Sequence, residues 1–122
     1  MIQRIEPGSR LAAAVVHGGI VYVSGQVPVT RHAPVRQQTE EILAKIDGLL
    51  AQAGSSRSHL LNASIWLADI VTFDAMNEAW DAWVPAGCAP ARATVEARIA
   101  DPAWRVEIAV VAAVATAGGA NG

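Results

Sequence analysis

LAAAVVHGGIVYVSG, residues 11–25, is the stretch that decides the fold class of this 122-residue chain. Two apolar, valine-rich runs flank the pair Gly18-Gly19. Glycine tolerates the positive φ angles that a two-residue hairpin turn requires. The pattern therefore predicts a β-hairpin near the beginning of the chain.

Two helices are predicted after the hairpin. Between Arg36 and Ala53, apolar residues recur at spacings of three and four, and Gly54 follows as a C-terminal stop. A second amphipathic helix begins after Thr72, which we expect to cap it. Its aromatic residues are predicted to belong to the core and not to a stacking platform. The apolar stripe of this helix consists of Phe73, Met76, Trp80 and Trp83.

Three further strands are expected at residues 60–67, 91–97 and 105–114. The resulting order is β-β-α-β-α-β-β, and right-handed crossovers place both helices on one face of a single mixed sheet. In the last strand both faces are apolar apart from Glu107, which predicts that other subunits cover the second face. The prediction is an α+β fold in one domain, residues 1–117, followed by a flexible tail at residues 118–122.

Composition restricts the partners and the cellular setting. The formal charge of −2 comes from nine basic and eleven acidic residues without runs, so neither nucleic acid nor a membrane surface is expected as a partner. No apolar run reaches the roughly 18 residues needed to span a bilayer, and the first residues do not resemble a signal peptide, which predicts a cytoplasmic location. Cys88 is the only cysteine and the three histidines lack ligand spacing, so no metal is predicted.

Two charged residues near the C-terminal strands are the candidates for chemistry. Arg92, Thr94 and Glu96 share one parity of their strand, and Arg92 follows Pro90 at its beginning. There a guanidinium can bind a carboxylate through two parallel hydrogen bonds. Glu107 interrupts an otherwise apolar strand. It is therefore either the ion-pair partner of an arginine or a proton-handling group, and the sequence leaves both alternatives open.

Four segments combine into a specific pattern, which Glu107 completes inside a Val-Glu-Ile strand. The segments are VYVSGQVP at residues 21–28, Gln38-Thr39 with Gly54 after the first helix, Asp69 through Phe73 to Asn77, and PARATVE at residues 90–96. On these residues the chain resembles the RidA (YjgF) family over nearly its whole length.

The resemblance implies a chorismate-mutase-like fold and a homotrimer around a central barrel of sheets, with three active clefts between subunits. It also implies hydrolysis of reactive enamines or imines, such as 2-aminoacrylate and 2-iminoacids, to a 2-oxoacid and ammonia, without a metal or an organic cofactor. By resemblance, Arg92 binds the substrate carboxylate and Glu107 positions the attacking water. Ser24, Gly25 and the backbone N–H of Thr94 match positions that line the same cleft.

The chain departs from the family pattern at Gly8-Ser9-Arg10, where many members have Gly-Pro-Tyr. Arg10 either binds a second negative charge on the substrate or lies on the surface. An alternative function is a non-catalytic trimer that binds small carboxylates, which needs Arg92 but not Glu107. An RNA-cleaving role, attributed to some relatives, is disfavoured by the acidic balance and the absence of a basic groove.

Overall fold

The computed structural model describes residues 1–115, so the predicted tail at residues 118–122 lies outside the described residues. The described chain forms two α-helices and six strands, and from the hairpin onwards they follow the order that the sequence predicts. They are β1 (Gln3–Pro7), β2 (Ala12–His17), β3 (Ile20–Gln26), α1 (Val35–Gln52), β4 (Leu60–Leu67), α2 (Phe73–Trp83), β5 (Ala91–Glu96) and β6 (Val106–Ala113).

The strands form one mixed sheet in the order β1-β2-β3-β6-β4-β5. Only the pair β4 and β5 is parallel, and α2 connects these two strands. The last strand, β6, lies in the middle of the sheet and pairs antiparallel with both β3 and β4. It therefore joins the N-terminal hairpin to the β4-α2-β5 unit.

The predicted α+β architecture is confirmed, but the predicted number of strands is wrong. The strand that the sequence analysis missed is β1, which pairs with β2 at the edge of the sheet. Only Ile5 of its five residues is buried. With one buried residue at the edge of the sheet, β1 lacks the alternating apolar pattern by which a strand is recognised in a sequence.

The core lies between the helices and one face of the sheet. On β6 the residues that face the helices are at most 2% exposed, whereas those of the other parity are half-buried. The opposite face is open in the single chain and carries exposed apolar side chains, among them Tyr22 at 49% and Val95 at 50%. Residues fully buried in the core include Ile42, Ile46, Leu50, Val106 and Ile108.

The beginning of α2 corrects two expectations. Thr72 makes no side-chain cap, because its hydroxyl donates to the Asp69 carbonyl oxygen at 2.6 Å within a short 3₁₀ turn at Ile70–Thr72. Of the predicted apolar stripe, Met76, Trp80 and Trp83 are buried, as expected. Phe73 is 38% exposed and is therefore not a core residue.

Gln38 is fully buried and anchors the connection between β5 and β6. Its side-chain amide nitrogen donates to the carbonyl oxygens of Thr30 and Ala103, each at 3.0 Å. Its amide oxygen accepts from the backbone N–H of Arg105 at 2.7 Å. A buried amide whose hydrogen bonds are satisfied in this way stabilises the loop that enters β6.

Candidate functional site

Arg92 lies on the helix side of the sheet, opposite the fully buried Ala63 of β4. Its Nη1 donates to Asn77 Oδ1 on α2 at 2.7 Å. The guanidinium carbon lies 5.3 Å from the ring centroid of Trp80 and 5.8 Å from that of Phe73. Aromatic ring faces attract a cation at these distances, so α2 holds the guanidinium by a hydrogen bond and two rings.

Burial lowers the pKa of Arg92, and the charge of Asp81 opposes this change. A guanidinium nevertheless stays protonated under physiological conditions. Within residues 1–115 its only side-chain hydrogen bond is the one that Nη1 makes to Asn77. Nε and Nη2 are thus left as a pair of donors in one plane, which is the geometry that a carboxylate accepts.

The contacts that hold Arg92 are not among those predicted from the sequence. Phe73, Asn77 and Trp80 follow one another on α2 at spacings of four and three, which puts them on one face of the helix. The available signal is a polar residue between two aromatic residues on one face of the helix. It indicates a partly buried polar partner on the sheet.

Glu107 projects from β6 to the open face of the sheet, directly opposite Trp66 of β4. A Cβ atom on residue 25 would collide with Glu107 Oε2 and would lie only 3.0 Å from Glu107 Cδ. Gly25 therefore makes room for the carboxylate. Burial raises the pKa of Glu107. Among the residues that the structure describes, no arginine pairs with it, which disfavours a structural ion pair within the chain.

The remaining predicted site residues have different surroundings. Ser24 Oγ donates to the Ala13 carbonyl oxygen at 3.1 Å, and Gln26 Nε2 donates to the Ser24 carbonyl oxygen at 3.0 Å. Thr94 Oγ1 is buried and has no hydrogen-bond partner within residues 1–115. Arg10 is exposed in the turn between β1 and β2 and makes no ion pair in that part of the chain.

The predicted residues fall into two groups on opposite faces of the sheet. Arg92 and Thr94 face the helices, whereas Ser24 and Glu107 belong to the open face, beside Gly25. Side chains on a strand alternate between faces, and the register between β4, β5 and β6 fixes this separation. Within one chain the structure brings Gly25 and Glu107 together but does not bring Arg92 to Glu107.

Within residues 1–115, no group of three or more His, Cys, Asp or Glu side chains has a geometry that could hold a metal ion. In the same part of the chain, neither helix combines the length and the apolar character that crossing a bilayer requires.

Comparison with known proteins identifies the family. The family profile described as endoribonuclease L-PSP matches residues 1–114. A crystal structure of a YjgF family member from Neisseria meningitidis superposes with a TM-score of 0.93, at 44% identity over 96% of this chain and 98% of that chain. The chain belongs to the RidA (YjgF) family. This confirms the resemblance that the sequence motifs indicated.

Curated members of the family extend the comparison. A RutC family protein of Haemophilus influenzae is 47% identical over 112 residues, which cover 91% of this chain and 97% of that protein. The RutC family protein YoaB of Escherichia coli K12 is also 47% identical, over 113 residues covering 93% of this chain and 98% of that protein. This RidA-family chain thus matches these relatives over almost their entire length.

Proposed function

We propose that this protein hydrolyses reactive enamines and imines of the 2-aminoacrylate and 2-iminoacid type to a 2-oxoacid and ammonia. The observation that carries the proposal is the Glu107 carboxylate, which lies against Gly25 on the open face with its pKa raised by burial. A carboxylate with a raised pKa is a stronger base towards water than an ordinary surface glutamate.

In this proposal Arg92 binds the substrate carboxylate with its free Nε and Nη2 donors. Asn77 and the two aromatic rings hold the guanidinium in place, so little rotational freedom is lost when the substrate binds. The backbone N–H of Thr94 and the hairpin residues Ser24 and Gly25 complete the lining of the cleft.

Because Arg92 and Glu107 lie on opposite faces of one sheet, each cleft would take these two residues from different copies of the chain. In a homotrimer, Arg92 of one copy would face Glu107 of its neighbour. Two observations support this assembly. Arg92 lies on the edge strand β5, which a second copy can approach. The open face of the sheet also carries exposed apolar side chains that association would bury.

The reaction begins when water adds to C2 of the protonated iminoacid. The π electrons of the C=N bond move to nitrogen while Glu107 accepts a proton from the water. The proton on Glu107 then passes to the amino nitrogen of the tetrahedral carbinolamine. The C–N bond breaks as the C=O bond forms, the Glu107 carboxylate takes up the hydroxyl proton, and that proton passes to the released ammonia as ammonium. Water is the only co-reactant, so this hydrolysis requires neither a metal nor an organic cofactor.

Arg10 lies within the turn that Gly8 and Leu11 close between β1 and β2, near the end of β2 where Ser24 Oγ donates to Ala13. It is a candidate contact for a second negative group on the substrate. The bacterial relatives and the sequence pattern support action in the cytoplasm.

The test generates 2-aminoacrylate in situ with a dehydratase and follows ammonia and pyruvate release. We expect the wild-type protein to accelerate release above the spontaneous rate, and the Glu107→Gln variant to lose most of that acceleration. Binding of a 2-oxoacid without any acceleration would instead favour the non-catalytic carboxylate-binding protein, which needs Arg92 alone.

A further inference from the structure

A groove opens beside Glu107 on the open face of the sheet, next to the connection between β5 and β6. Its volume is about 250 Å³. Pockets that enclose drug-sized ligands measure about 300–1,000 Å³, so this groove suits the side chain of a small metabolite. The residues that line it are Trp66, Ala97, Arg98, Ile99, Ala100 and Glu107.

We infer that Arg98 is a specificity-determining residue that binds a second acidic group of the substrate. The preferred substrates are then dicarboxylic 2-iminoacids, whose far carboxylate reaches Arg98 while C2 lies at Glu107. This inference rests on the proposed hydrolysis, and it names Arg98 in place of Arg10 as the contact for the second acidic group.

The charge of Arg98 is not compensated by its surroundings. Its side chain is exposed, and within residues 1–115 it makes no ion pair. The acidic residues nearest in sequence are engaged elsewhere. Glu96 Oε1 accepts from the backbone N–H of Ile70 at 2.9 Å, and Asp101 pairs with Arg31 at 3.0 Å. An anion entering the groove therefore meets a guanidinium that no ion pair within residues 1–115 neutralises.

Arg98 and Glu107 line one groove without neutralising each other. The structure gives no ion pair between them, and the pKa of Glu107 is raised by burial and not lowered by a neighbouring cation. The groove thus offers a base and a cation at separate places. A substrate with one reactive carbon and one distant carboxylate matches this arrangement.

Trp66 is an apolar residue of the groove lining. It pairs directly with Glu107 across β4 and β6 and lines the same groove. Methylene groups that join the imine carbon to the second carboxylate can pack against Trp66 and leave water. The indole N–H makes no hydrogen bond within the described residues, so it remains a donor for the same anion.

The experiment compares two five-carbon imines that differ only in the second carboxylate. An amino acid oxidase produces 2-iminoglutarate from glutamate and 2-iminopentanoate from norvaline, and hydrolysis is measured in competition with semicarbazide trapping. The variants are Arg98→Gln, Arg10→Gln, and Arg4→Gln as the control for loss of one positive charge. Arg4 is an exposed residue of the edge strand β1.

We expect wild-type protein to prefer 2-iminoglutarate by roughly tenfold in kcat/KM, the effect of about one charge-assisted hydrogen bond. Arg98→Gln should remove that preference and leave hydrolysis of 2-iminopentanoate within about twofold. Arg4→Gln should change neither rate. An unchanged preference in Arg98→Gln overturns the inference, and loss of the preference in Arg10→Gln alone transfers the role to Arg10.

Binding separates failure of this inference from failure of the proposed hydrolysis. Calorimetry with the unreactive 2-oxoglutarate and 2-oxopentanoate reports specificity whether or not the imines react. If neither imine is hydrolysed but Arg98→Gln weakens only 2-oxoglutarate by about tenfold, the proposed hydrolysis is wrong and the Arg98 subsite stands. Equal affinity of the wild-type protein for both oxoacids rejects the subsite.

Discussion

Arg92 and Glu107 project from opposite faces of the same sheet. Arg92 is aligned with the buried Ala63 and contacts α2, whereas Glu107 is aligned with Trp66 on the open face. Within a single chain the sheet separates the two side chains, and no change of rotamer brings them together. A reaction that uses both residues therefore requires at least two copies of the chain.

Oligomeric state is the first prediction. Light scattering should give about three times the chain mass of 12.7 kDa. The open apolar face and the division of the site between copies predict association, and the family resemblance implies a trimer. The measurement is made at micromolar protein concentration and at two salt concentrations. A stable and active monomer would refute both the trimer and the shared cleft.

Subunit complementation is the second prediction. Arg92→Lys and Glu107→Gln should each lower kcat/KM at least about tenfold, because lysine cannot present a planar fork and glutamine is not a base. Refolding the two variants together in equal amounts should restore about a quarter of the wild-type sites. Each site takes Arg92 from one subunit and Glu107 from its neighbour, and in random assembly each of these residues is intact in about half of the cases.

The control for this experiment mixes the two proteins without refolding, so that subunits do not exchange. Activity should then stay at the mean of the separate variants. If refolded mixtures gain nothing although mixed oligomers form, the two residues do not act across a subunit boundary.

The third prediction separates catalysis from binding at Glu107. Glu107→Gln keeps the shape of the side chain but removes the base, so turnover should fall by roughly 10²–10⁴-fold. Affinity for an unreactive 2-oxoacid, measured by calorimetry, should stay within a fewfold of wild type because Arg92 is intact. A variant that folds, assembles and turns over at the wild-type rate would reject the general-base role.

The fourth prediction concerns the space that Gly25 leaves. Gly25→Ala places a methyl group against the Glu107 carboxylate, which is the end of a flexible, half-buried side chain. The carboxylate should therefore turn away, so turnover should fall while the free energy of unfolding changes by less than about 1 kcal/mol. The backbone φ of Gly25 is not positive, so alanine itself is tolerated there. Thermal unfolding and the imine assay measure both effects.

Gly48→Ala is the matched control for Gly25→Ala. Gly48 lies inside α1, and a Cβ atom there meets nothing within 4 Å. Alanine should therefore raise the stability of the helix by roughly 0.5–1 kcal/mol and leave turnover unchanged. Equal behaviour of the two variants would contradict a specific clash at Glu107.

The fifth prediction is a pH dependence that arises at Glu41. Hydrogen bonds from Thr30, first among them its backbone N–H, lower the pKa of Glu41 from 4.5 to about 2. A carboxyl group whose pKa is lowered on folding stabilises the fold above its unfolded pKa and ceases to do so as the pH falls through the folded value.

Urea unfolding of the wild type and of Glu41→Gln should therefore differ most above about pH 4.5. The difference should shrink as the pH falls towards 2, because the wild-type carboxyl group is then protonated. A difference that stays constant between pH 6 and pH 2 would show that the Glu41 carboxylate does not stabilise the loop at Thr30.

Regular elements could be predicted from the sequence because their signals are local. The three- and four-residue spacing of α1 and the apolar runs of β4 and β6 put these elements within one or two residues of the structure. The edge strand β1 is not predicted from the sequence because a single buried residue gives no periodic apolar pattern. Phe73 was misassigned because a helical stripe does not reveal which of its ends reaches the surface.

By itself the sequence determined the α+β class, the family motifs and the two charged residues, Arg92 and Glu107, on which the proposed chemistry depends. Only the tertiary structure decided that these two residues lie on opposite faces, that Asn77 holds the arginine and that Arg98 shares a groove with the glutamate. The physical reason is that the sequence of one strand shows only which of its own residues share a side. Which residues of different strands share a face of the sheet depends on the pairing register, and packing across the whole sheet sets that register.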